Sequence, residues 1–157
     1  MIAVRRVQPE EWRELRELRL ESLQDSPSAF WRRYDEELER SDDEWRAWAA
    51  SPCFVAVEGG RFVGMVVAHA DDDDATIANL YAMYVRPSGR GRGVGEALVN
   101  AQLQWARAEG FSRVRLMVNV DNETATRLYE RCGFRDTGFR EPLRDGPDVL
   151  SEMIRAL

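Results

Sequence analysis

The sequence predicts a mixed α/β fold, in which a central sheet of six to seven strands is flanked by about four helices. Alternating apolar and polar residues mark the strands, and apolar stripes at helical spacing mark the segments between them. A strand, helix, strand unit at 76–120 predicts one right-handed parallel crossover, while the other strands can pair antiparallel. The 157 residues contain no repeat, linker or composition break, so we expect one domain spanning residues 1–157.

The first half of the chain predicts a strand, two helical regions and a hairpin. A first-turn proline and an apolar stripe favour the first helix, and Ser41 is the expected cap of the second helical region. Gly59 and Gly60 separate two strand-like runs, which is typical of a β-hairpin. In order, the predicted elements are a strand at 2–7, a helix from Pro9 to about Gln24, one or two helices up to Ala50, and strands at 53–58 and 61–70.

The second half predicts the crossover unit and a closing antiparallel pair. The run DDDD at 71–74 marks a turn before it, and Gly110 is the expected C-cap of its helix. In order, the predicted elements are a strand at 76–85, a helix from the glycine-rich stretch to Gly110, a strand at 113–120, a short helix at 123–132, and strands at 134–140 and 148–157.

Composition excludes several classes of function. The net charge of -6 and pI near 5.0 argue against nucleic-acid binding and fit a cationic partner better. No apolar run reaches the length of a membrane span, so we expect a cytoplasmic protein that does not bind membranes. Cys53 and Cys132 lie far apart and outside any Cys/His cluster, so neither zinc nor a disulfide framework is indicated.

The glycine-rich stretch RGRGVG, Arg90–Gly95, lies between a predicted strand and a predicted helix. Unpaired N–H groups at a helix N-terminus bind phosphate, and glycines let phosphate approach the main chain. The stretch is not a P-loop, because the chain has no lysine, and Glu96 breaks the dinucleotide pattern G-x-G-x-x-G. The alternative is that these glycines form only a tight strand-to-helix turn.

Two motifs resemble those of the GNAT N-acetyltransferases. The pattern Q/R-x-x-G-x-G/A is matched by Arg90, Gly93 and Gly95, and NETATRLYERCGF at 122–134 is similar to N-x-x-A-x-x-x-Y-x-x-x-G-F. The resemblance covers nearly the whole chain and implies the GNAT acyl-CoA N-acyltransferase fold. It also implies acetyl-CoA as the acyl donor and direct transfer to a primary amine, without a metal.

The resemblance implies roles for specific residues. Tyr129 would be the acid that protonates the departing thiolate, although a tyrosine at this spacing can also simply pack on its helix's apolar face. Asn122 would hold the cofactor arm, or only cap the helix that follows. The implied cofactor-binding residues are Met83, Tyr84 and Val85 through the strand backbone, Arg90, Gly91, Arg92, Gly93, Val94 and Gly95 through the loop, and Asn122.

The general base is not identified by these motifs. Many members of the family carry a glutamate early in the fourth strand, where this chain has Asn79, which cannot accept a proton. A water chain to another group and an acceptor that arrives as a neutral amine both stay open. His69 could act as a base or be structural, and the run 71–74 could attract a cation or be solvated surface.

The expected acceptor is an amine-bearing, cationic molecule of unidentified structure. In relatives the first two helices and their connection border the acceptor cleft, which would place Phe30, Trp31 and Tyr34 at its wall or in ordinary core. Two other functions stay open, a non-catalytic acyl-CoA-binding module and a partner-binding protein that uses its acidic surface. The sequence does not decide between a monomer and a homodimer.

Overall fold

A seven-stranded mixed sheet forms the centre of the fold in the computed structural model, which describes residues 1–157. The strand order is β1-β2-β3-β4-β5-β7-β6. The strands are β1 (Ile2–Arg6), β2 (Cys53–Glu58), β3 (Arg61–Ala70), β4 (Ile77–Val85), β5 (Arg113–Asn119), β6 (Arg135–Pro142) and β7 (Val149–Ala156). The helices are α1 (Trp12–Asp25), α2 (Tyr34–Leu38), α3 (Asp42–Ala50), α4 (Val94–Ala108) and α5 (Glu123–Arg131).

Five of the six strand pairs are antiparallel, and β4 with β5 is the one parallel pair. The helix α4 connects these two strands, so the predicted parallel pairing across a helix is confirmed. The parallel pairing covers only Ile77 with Arg113, Ala78 with Val114 and Asn79 with Arg115. Beyond Asn79 the two strands separate.

Local signals in the sequence account for the ends of the elements. The Oγ of Ser41 accepts a hydrogen bond of 3.1 Å from the N–H of Glu44, so Ser41 caps α3 as predicted. The two glycines of the β2–β3 hairpin have positive φ angles of 58° and 75°, which the tight turn requires. The second helical region consists of two helices, α2 and α3, after a short 3-10 turn at Pro27–Ala29.

The sheet is covered on both faces by apolar clusters. Residues of α1 and α3, including Leu15 and Trp45, pack against Met65 of β3 on one face. Leu98 of α4 and Tyr129 of α5 belong to the cluster on the opposite face. Both cysteines are free and buried. No helix combines the length and the apolar character needed to cross a membrane.

Candidate active site

The gap between β4 and β5 begins where their pairing ends, just after Asn79 and Arg115. Close to this point β4 changes its register with β3, and Ala82 takes a positive φ of 53° although it is buried. A non-glycine residue in this conformation is strained, and bulges of this kind re-aim a strand beside functional sites. The bulge and the separation together leave β4 without a strand neighbour on its β5 side.

A cleft of about 730 Å³ occupies this region of the molecule. Its walls come from the separated parts of β4 and β5, from α5, from the strands β6 and β7, and from the segment around Phe30. Among the predicted site residues, Met83, Asn122 and Tyr129 line the cleft, whereas Tyr84, Val85 and the glycine loop do not.

The glycine loop leaves its main-chain donors free. Gly93 is the N-cap of α4 with a φ of 78°, and Gly91 has a φ of 74°. The N–H groups of residues 91–95 donate to no protein acceptor, whereas that of Arg90 donates to the carbonyl of Pro87 at 3.3 Å. A Cβ on Gly91 or Gly93 would meet no atom within 4 Å, so the space in front of the loop is open. Free donors at the positive end of a 15-residue helix suit an anion.

Gly95, in the first turn of α4, has little room for a side chain. A Cβ there would lie 3.0 Å from Cδ2 of Leu128 on α5, and Leu128 lines the cleft. The first turn of α4 therefore packs against α5, on a side chain that also contacts the cleft. The glycine loop and the cleft are consequently neighbouring parts of one surface.

The two arginine side chains of the loop are anchored to the protein. The guanidinium of Arg90 donates to Asp25 and to the carbonyl of Val85, both at 2.9 Å, and Arg92 forms an ion pair with Glu58. These contacts tie the loop to α1, β4 and β2. Although both arginines are exposed, their side chains have protein partners, and the polar groups of the loop that have none are its main-chain N–H groups.

The predicted cofactor-binding residues of β4 point their side chains to different sides of the sheet. Tyr84 is buried against α1, and its hydroxyl donates to Glu21 Oε2 at 3.1 Å. Met83 points to the other side and lines the cleft. Because no strand pairs with this part of β4 on the β5 side, its outer edge can hydrogen-bond an extended amide-containing arm.

Tyr129 both packs in the core and lines the cleft. Its ring contacts Phe134 edge to face with a centroid distance of 5.8 Å, and its exposed fraction is 6%. Its hydroxyl makes no hydrogen bond within the protein. Burial raises the pKa of Tyr129 above its ordinary value, so the phenol carries its proton at neutral pH.

Asn122 caps α5 and lines the cleft at the same time. Its Oδ1 accepts from the N–H of Ala125 at 3.1 Å, which leaves its side-chain N–H₂ group without a protein partner. The cap therefore positions a hydrogen-bond donor at the cleft wall.

Asn79 is held in a polar network that joins β4, β5 and the turn after β3. Its Nδ2 donates to Asp71 Oδ1 at 2.9 Å, and its Oδ1 accepts from Arg115 Nε at 3.1 Å. Arg115 also forms an ion pair with Asp71. The network clamps β4 to β5 at the last paired residues, and it gives Asn79 and Asp71 a structural role.

His69 lines the cleft but is exposed, and its Nδ1 lies 2.8 Å from the carbonyl of Ala70. Phe30 and Trp31 line the cleft, whereas Tyr34 does not. The expectation that Phe30 and Trp31 stand at the cleft wall therefore fits the structure.

Sequence reasoning missed five charged residues of the cleft wall. Glu141 and Glu152 come from β6 and β7, and the three arginines are Arg19 of α1, Arg32 after Phe30 and Arg115 of β5. Arg115 Nη1 lies 3.8 Å from Glu152 Oε2. Arg19 lies between two leucines of the buried face of α1. Because arginine is seldom buried without a partner, this position was the one feature of the sequence that could have indicated a charged residue at the site. Nowhere does the structure gather three or more His, Cys, Asp or Glu side chains that could hold a metal ion.

Comparison with known proteins assigns the family. The model of the acetyltransferase (GNAT) family matches residues 12–134, and the chain belongs to this family. A mycothiol acetyltransferase from Thermobispora bispora is 40% identical over 85 residues, which is 52% of this chain and 29% of that protein. The chain spans about a quarter to two fifths of the length of the curated relatives that it matches first.

Solved structures share the whole fold. A GNAT-family acetyltransferase from Streptococcus pneumoniae superposes with a TM-score of 0.85 at 22% identity, covering 100% of this chain and 99% of that one. A putative acetyltransferase from Salmonella typhimurium, solved with acetyl-CoA, has a TM-score of 0.83 at 20% identity, covering 100% of this chain and 94% of that one. The predicted GNAT fold is therefore confirmed.

Proposed function

We propose that this protein is an N-acetyltransferase that moves an acetyl group from acetyl-CoA directly to a primary amine. The observation that carries the proposal is the row of unpaired N–H groups at residues 91–95, placed beside the gap between β4 and β5. The loop from Arg90 to Gly95 would hold the diphosphate of the cofactor. The free edge of β4 at Met83, Tyr84 and Val85 would hold its amide-containing arm, with the Nδ2 of Asn122 as a further donor.

The proposed chemistry needs one acid from the protein. Acetyl-CoA supplies an acetyl thioester, whose carbonyl carbon forms a bond with the amine nitrogen while its bond to sulfur breaks. An ammonium acceptor first gives one proton to a carboxylate or to water, and its nitrogen gives up a second proton as the amide bond forms. The departing thiolate takes the proton of Tyr129, and the second amine proton restores the tyrosine hydroxyl. The unpaired, protonated hydroxyl of Tyr129 at the cleft wall supports this assignment.

The reacting amine is proposed to arrive as a cation. Glu141 and Glu152 are the carboxylates of the cleft wall, and Glu141 has no ion-pair partner. Carboxylates attract an ammonium group and can take its proton, directly or through water. Asn79 can do neither, because both polar atoms of its amide are engaged.

The cellular setting is proposed on general grounds. We place the protein in the cytoplasm, where free buried thiols such as those of Cys53 and Cys132 persist. No metal, nucleic acid or membrane is invoked for the reaction, and the oligomeric state does not enter it.

The test is an acceptor screen with acetyl-CoA that includes polyamines, aminoglycosides, amino acids and peptides with free N-termini. We expect amine-dependent release of the CoA thiol with at least one class. Tight CoA binding by calorimetry without thiol release for any amine would instead identify a non-catalytic acyl-CoA-binding module. Absence of CoA binding would contradict the proposal and favour a partner-binding protein.

A further inference from the structure

Arg19 has a buried guanidinium, and one of its nitrogens has no hydrogen-bond partner. Its exposed fraction is 3%, and it lines the cleft. The edge formed by Nε and Nη2 faces Glu37, with distances to Oε1 of 3.2 Å and 3.1 Å. The remaining nitrogen, Nη1, is buried and has no hydrogen-bond partner. A buried donor of a charged group is destabilising when it has no acceptor. Because this donor belongs to a residue of the cleft wall, we expect a ligand to supply the acceptor that the protein lacks.

The charges around Arg19 do not balance. Glu37 forms ion pairs with both Arg19 and Arg40, so one carboxylate serves two guanidinium groups. Arg32 is a second guanidinium at the cleft wall; it is exposed and forms no ion pair. This end of the cleft therefore carries an excess of positive charge, part of it on the buried Arg19, where an anion is bound more strongly than in water.

Aromatic rings hold the Arg19 guanidinium in place. Its Cζ lies 5.1 Å from the ring centroid of Phe30 and 5.7 Å from that of Trp48. These cation–π contacts fix the plane of the group before any ligand arrives. A fixed planar guanidinium suits a carboxylate, because both groups are flat and can form charge-assisted hydrogen bonds in one plane.

We propose that Arg19 and Arg32 form a carboxylate-binding subsite of the acceptor cleft. The acceptor then carries a primary amine, attracted by Glu141 and Glu152, and a carboxylate that binds at the arginine end. This inference rests on the proposed acetyltransferase function and narrows the acceptor to amino acids and related amino carboxylates.

The competing explanation is that Arg19, Glu37 and Arg40 only tie α1 to α2. That role predicts no difference between acceptors with and without a carboxylate. The two explanations are separated by comparing kcat/KM for alanine, aspartate and lysine with kcat/KM for their α-carboxamides. Asparagine and isoasparagine, each of which keeps one carboxylate of aspartate, identify whether the α or the side-chain carboxylate is recognised.

We expect kcat/KM for each preferred acid to exceed that for its amide by about 10- to 100-fold, which corresponds to the free energy of a charge-assisted hydrogen bond. Arg32→Gln should lower the ratio of kcat/KM for the acid to that for the amide by about tenfold. Arg33→Gln is the matched control, since Arg33 is an exposed neighbour that does not line the cleft. Equal kcat/KM for acids and amides would overturn the subsite, as would an Arg32→Gln variant with the full preference.

A binding measurement separates this inference from the proposed reaction. The intrinsic fluorescence of the five tryptophans, one of which is Trp31 at the cleft wall, is followed while the protein is titrated with N-acetylalanine and with N-acetylalaninamide. Tighter binding of the acid supports the subsite even if no acceptor is turned over, which would contradict only the proposed function. Equal affinity for the two compounds overturns the subsite even if amines are acetylated.

Discussion

Tyr129 shows at the scale of one residue how packing and chemistry combine. Its ring lies in the core against Phe134, which fixes its position, while its hydroxyl stays unpaired at the cleft. Burial raises the pKa of the phenol and keeps the proton on the oxygen. The two interpretations of this residue from the sequence, a core tyrosine and an acid, are therefore compatible.

Tyr129→Phe is expected to lower kcat by about 100-fold or more, because general acid catalysis commonly contributes this much. The affinity for CoA, measured by calorimetry, should change little, since the ring stays in the core. Tyr34→Phe is the control, because Tyr34 does not line the cleft and its hydroxyl makes no hydrogen bond. A Tyr129→Phe enzyme with full turnover would remove this tyrosine from the mechanism.

Single residues also show the limit of sequence reasoning. Asn122 and Tyr129 could be predicted because they lie in a short motif on one helix. Arg19 and Glu37 are 18 positions apart on different helices, and their pairing depends on how α1 and α2 dock. Nothing in the local sequence of either residue specifies that contact.

At the scale of elements, the strand-to-helix connection before α4 is built to leave main-chain donors open. Gly91 and Gly93 take positive φ angles, and the N–H groups that follow point to no protein acceptor. The glycine spacing predicted this connection correctly. The separation of β4 from β5 beyond Asn79 is not specified by the sequence of either strand alone, because strand pairing depends on both partners.

Gly93→Leu is expected to raise the Kd for CoA by about tenfold or more in calorimetry, because a side chain would occupy the open space before the loop. Gly110→Leu is the matched control, since Gly110 also has a positive φ and an open Cβ direction, but ends α4. Both variants should lose about 1–2 kcal/mol of stability from backbone strain. Equal CoA affinity of the two variants would contradict the loop assignment.

The packing of α4 on the sheet depends on Gly64 of β3. A Cβ there would lie 3.0 Å from Leu98 Cδ1 and 3.1 Å from the carbonyl oxygen of Tyr84, which cannot move freely. Gly64→Ala should therefore lower the free energy of unfolding by about 1–3 kcal/mol in urea denaturation. Gly146→Ala, whose nearest contact would be an ordinary 3.6 Å, should change it by less than about 0.5 kcal/mol. A Gly64→Ala protein with the original stability would show that α4 can shift.

Across the whole molecule, the site lies where the sheet opens between its one parallel pair of strands. The two apolar clusters hold α1 and α3 on one face and α4 and α5 on the other, so the gap stays fixed between packed layers. The order of elements and the parallel crossover could be predicted because they follow from local periodicity and handedness. The charges of the cleft could not be predicted, because they come from five separate segments of the chain: Arg19, Arg32, Arg115, Glu141 and Glu152.

The proposed function depends on the main chain of the glycine loop holding the diphosphate of CoA. A crystal structure of the complex with CoA is the decisive experiment. We expect phosphate oxygens within about 3 Å of the N–H groups of residues 91–95, with the amide-containing arm along the free edge of β4. A diphosphate bound elsewhere, with these N–H groups turned to solvent, would contradict it.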